Sequence, residues 1–165
     1  MGHHICAIIG KKPVNEEAIR KYQLAAAFEG DYVILILDHE SVWYWSEKLG
    51  LSSDSESEDI DFACELIFHF AKEIGFQQYG IIQTDYFGGV GSQCASLYDN
   101  GRLLIGEKMI DDILRELGVV RTKDKDEFDI LNLSEYRSGD YYYWELMTGN
   151  LKSPNVIYGH IPKNE

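Results

Sequence analysis

Residues 79–105 read YGIIQTDYFGGVGSQCASLYDNGRLLI, and the way this stretch is divided decides the fold. Tyr79 to Tyr86 and Gln93 to Tyr98 are strand-like, and the second alternates as a half-buried strand does. Between them lies Phe87-Gly88-Gly89-Val90-Gly91. A P-loop would place a Lys and then a Ser or Thr after the last glycine, but Ser92-Gln93 follow here. A dinucleotide fingerprint would open a helix, and a nucleophile elbow would set a second glycine beyond the serine; neither pattern is present. The glycines are expected to supply positive φ in a hairpin bend, where a bare backbone also lets a ligand or a partner loop come close. Asp99-Asn100-Gly101 signals a second tight turn into a strand over Arg102 to Ile105. The stretch therefore predicts a three-stranded antiparallel meander.

Upstream, His4 to Ile9 reads as a strand and Tyr32 to Leu37, continuously apolar, as a central strand covered on both faces. Asn15 is a candidate helix cap, with helical spacing from Ala18 through Ala25, Ala26 and Phe28. Ser41 to Leu49 is expected to form a short aromatic helix ending at Gly50. Ser55 and Glu58 match a capping box for a buried helix over Ile60 to Ile74. Lys108 to Leu117 is amphipathic, and Phe128 to Leu133, Tyr141 to Met147 and Asn155 to Ile161 are candidate strands. The whole, residues 1–165, reads as one α+β domain: a largely antiparallel sheet with helices packed mainly on one face.

Composition narrows the chemistry. No apolar run approaches the roughly 20 residues of a membrane helix, and no basic-then-hydrophobic leader opens the chain. Cys6, Cys64 and Cys94 are odd in number and far apart, which predicts reduced core residues and a cytoplasmic protein. The five histidines show no metal-ligand spacing, so no metal and no cofactor is expected. His69 falls within the buried helix and is read as a core residue.

The formal net charge is −13, and most of it is local. From Glu29 to Glu73 twelve carboxylates face only Lys48 and Lys72. Such a field repels nucleic acid and anionic membranes and draws in a basic protein. The aromatic run Trp43-Tyr44-Trp45 lies inside this segment, and a helix this short leaves one of the three outside its buried face. An acidic rim around an exposed aromatic is the composition of a protein-binding surface. The residues expected to contact a partner are Trp43, Trp45, Asp54, Glu56, Glu58, Asp59, Asp85, Tyr86 and Phe87.

The expected function is an acidic cytosolic binding module, of the kind that neutralises a nuclease toxin or blocks a nucleic-acid-binding site. No catalytic residue is assigned on this reading. The alternative is a small enzyme working between the strand end Asp38-His39-Glu40 and the Gly88–Gly91 loop, with Asp85, Ser92 and Cys94 at hand. A further alternative is a homodimer or larger homo-oligomer joined through Tyr141 to Trp144.

Overall fold

The computed structural model describes residues 3–136 and 156–157. Among them seven strands form one antiparallel sheet in the order β6-β5-β4-β1-β3-β2-β7. The strands are β1 (His3–Lys11), β2 (Ala25–Glu29), β3 (Tyr32–Ile36), β4 (Gln78–Phe87), β5 (Val90–Asp99), β6 (Arg102–Lys108) and β7 (Val156–Ile157). The helices are α1 (Glu16–Lys21), α2 (His39–Leu49), α3 (Glu65–Ile74), α4 (Ile110–Glu116) and α5 (Glu127–Ile130).

The meander forms as its turns require. Gly88 and Gly89 (φ 60° and 80°) close β4 onto β5, and Asn100 and Gly101 (φ 50° and 81°) close β5 onto β6. Both are two-residue turns with positive φ at each position, the geometry that matches strand twist. Gly91 has a different reason. A side chain there would stand 1.9 Å from the Asp85 carbonyl oxygen, so only glycine lets the two strands meet.

Alternation along β1 sends Cys6 and Ile8 to one face and Ile5, Ala7 and Ile9 to the other, all buried. Each face therefore needs its own cover. On the first, α1, α2 and α3 pack with Phe62, Leu66, Phe70 and Ile74 over β1, β3 and β4. On the second, α4, α5 and the 3-10 turn Leu133–Tyr136 lay Ile113, Leu114, Leu131 and Leu133 across the sheet. The two longest helices share the first face, and a second, thinner helical layer is added opposite.

Three expected elements differ. Ala25 to Phe28 is strand β2, not the end of a helix, because pairing with β3 and burial of Ala25, Ala26 and Ala27 override alanine's helix preference. The helix expected from Ile60 begins only at Glu65. Ser55 Oγ instead bonds the carbonyls of Ser57 and Ile60, and Ser57 Oγ accepts from the N–H groups of Asp59 and Ile60. Serine side chains thus satisfy the backbone locally and hold a loop. Phe128 to Leu133 is the end of α5 followed by a turn, not an extended strand. Asp126 caps α5 by accepting from Asp129 N–H at 2.9 Å, and the buried Glu127 accepts from Arg121 and Arg115. The tract Tyr141 to Met147 lies outside the described residues, as does all but Val156–Ile157 of the last expected strand.

Candidate functional site

The structure brings most of the expected site residues to one end of the first face. Asp38 caps α2, its Oδ1 accepting from Ser41 N–H at 2.9 Å, and the side chain is buried. His39 opens the helix, exposed, with its ring 4.9 Å from Phe62 and stacked 6.1 Å from His4. His4 pairs across the sheet with Asp85, and His4 Nε2 lies 3.6 Å from Cys6 Sγ. The start of β1, the end of β4, the start of α2 and the loop before α3 therefore converge.

The acidic loop crosses β4 and β5 on this same face. Asp54, Glu56, Glu58, Asp59 and Asp61 are all exposed. The loop is nonetheless anchored: Asp61 N–H donates to Gln83 Oε1 at 2.8 Å, and Ser57 Oγ donates to Glu107 Oε1 at 2.8 Å. Glu107 belongs to β6, and nothing in the sequence marks it as part of the acidic group. Its effect reaches β5. The Tyr98 hydroxyl is pushed up by burial, then by Glu56 and Glu107; the Cys94 thiol is pushed up by burial, then by Glu107 and Asp59. A thiol held protonated in this way is a poor nucleophile.

The aromatic pair on α2 is split. Trp43 is 59% exposed. Trp45 is half-buried, edge-on to Tyr22 at 5.2 Å, and packs against the core. Trp43 follows His39 by one helical turn, on the same stripe. At the hairpin tip Phe87 (85% exposed) and Val90 (79%) face each other across the turn, next to the exposed pair Asp85 and Ser92. Tyr86 points to the other face, where its hydroxyl accepts from Gln93 Nε2 at 3.4 Å and Gln93 Oε1 accepts from Ile110 N–H. Tyr86 is thus turned away from the acidic loop.

The enzyme alternative expects a cleft between Asp38 and the glycine turn. A groove of about 670 Å³ lies at the opposite end of the sheet, between α3 and the Asn100-Gly101 turn, walled by Phe68, Phe76, Tyr79, His69 and Lys72. His69, expected as a core residue, is half-buried there and 3.3 Å from the Tyr22 hydroxyl. No group of three or more His, Cys, Asp or Glu side chains among the described residues is placed to hold a metal ion. No helix among them is long and apolar enough to cross a membrane. No family model, no curated protein and no solved structure matches the chain.

Proposed function

We propose that this protein captures a basic protein partner on the face that carries the acidic loop. The observation behind this reading is that Asp54, Glu56, Glu58 and Asp59 are exposed on a loop held by its own serines and by Gln83. A fixed array of carboxylates loses little entropy on meeting a cation, and the exposed apolar groups Trp43, Phe87 and Val90 supply area that charge alone does not. The arrangement suits an immunity-type or anti-defence inhibitor whose target is a nuclease toxin or another nucleic-acid-binding enzyme, since such targets carry basic clefts. Three free cysteines, two of them buried, fit work in the cytoplasm.

The test is retention of proteins from the host lysate on the wild type and on a variant carrying Asp54→Asn, Glu56→Gln, Glu58→Gln and Asp59→Asn. The wild type should hold a basic protein at low salt and release it as salt rises. The variant should lose it while keeping its melting temperature. Equal retention by both, or nothing retained by either, overturns the reading.

A further inference from the structure

We propose that β6 is the edge to which an extended, basic segment of the captured partner adds as a further strand. β6 closes the sheet order and, among the described residues, is hydrogen-bonded on one side only, to β5. Six of its seven residues are exposed, with Leu103 at 54% and Leu104 at 42%. An edge of this length presents a row of backbone donors and acceptors ready to pair with another chain. Charge selects the occupant. Leu103 lies opposite Tyr98, on the face of the acidic loop, while Lys108 lies opposite Ala95, which belongs to the other core. Glu107 bonds Ser57 and so draws the loop alongside the edge. On that face a docked strand meets an apolar position at Leu103 and carboxylates at Glu107 and Glu56, which calls for an apolar residue and a Lys or Arg in matching places. A second copy of this chain brings another −13 and is repelled.

This inference rests on the capture reading, and the experiment separates the two. The probes are a short peptide alternating lysine and valine, the same peptide N-methylated along one edge or the other, and a glutamate/valine counterpart. N-methylation removes strand pairing and leaves the charge. The lysine peptide should bind and slow amide exchange in β6. At least one methylated copy should bind about tenfold more weakly, as the loss of one or two backbone hydrogen bonds demands. The glutamate peptide should not bind. Equal binding of both methylated copies, with β6 exchange unchanged, overturns strand addition and leaves capture standing. Equal binding to the four-site neutralised variant overturns capture, and failure of the lysine peptide to bind the wild type overturns both.

Discussion

The amide side chain of Gln83 reaches up from the middle of the sheet and takes the Asp61 N–H at 2.8 Å. A neutral acceptor thereby joins the loop's own serines in holding a segment whose carboxylates repel one another. Gln83→Leu keeps the volume and removes the acceptor. It should cost about 1 kcal/mol, quicken amide exchange over residues 57–62, and weaken partner binding. Unchanged exchange in that loop would show that the serines hold it unaided.

Trp43 and Trp45 are two residues apart and should behave oppositely. Trp43→Ala removes an exposed ring and should leave the urea midpoint within about 0.5 kcal/mol of wild type while lowering affinity for the partner. Trp45→Ala removes a ring packed edge-on to Tyr22 and should cost about 2 kcal/mol. Equal effects on stability would contradict the split.

Gly10 stands where β1 passes beneath Phe76. A methyl group there would lie 2.4 Å from the Phe76 ring, which is itself buried. Gly10→Ala should destabilise the fold by roughly 1–3 kcal/mol, and Gly10→Ala with Phe76→Leu should recover part of the loss. Thermal melts of the two variants test the pair.

Glu127 links α4 to α5. It accepts from Arg121 Nη2 at 2.7 Å and from Arg115 Nε at 3.0 Å, and these guanidinium bonds, Arg121's foremost, draw its carboxyl down to about 2 from an ordinary 4.5. Because the folded value is the lower one, the stabilisation is complete above the ordinary value and fades as pH falls toward about 2. Both arginines are half exposed, so solvent moderates the effect. Asp111, pushed up by burial, acts in the opposite sense. Glu127→Gln should lower stability at neutral pH and flatten the acid limb of an equilibrium denaturation series between these two values. An unchanged acid limb would assign that limb to other groups.

The meander was legible because its turns carry their own chemistry: two pairs of residues able to take positive φ, set between strand-like runs. β2 was not, since Ala25-Ala26-Ala27 favours helix until β3 is beside it. The start of α3 was hidden because Ser55 matches a capping box yet bonds its own loop. α5 was hidden because the apolar run behind Asp126 suits a strand as well as a helix.

At the surface, the clustering of carboxylates in residues 54–61 could be read directly. That Glu107 joins them could not, because the contact with Ser57 spans fifty positions and leaves no local pattern. Nor could spacing alone tell which of Trp43 and Trp45 faces outward. That choice is made by Tyr22, on a different element.

The place of β1 in the sheet has a consequence for biosynthesis. It pairs with β3 on one side and with β4 on the other, where His3 meets Tyr86. A ribosome that has just released β1 and β3 has still to make α2, α3 and β4 before that second edge is filled. Through this interval the apolar strand offers open hydrogen-bonding groups on the β4 side, the condition under which chaperones hold nascent chains. β4, β5 and β6, joined by two-residue turns, need no such wait and can zip together within microseconds of emerging. These three strands thus arrive as a preformed unit, and their docking onto β1 closes the long loop that runs through α2 and α3.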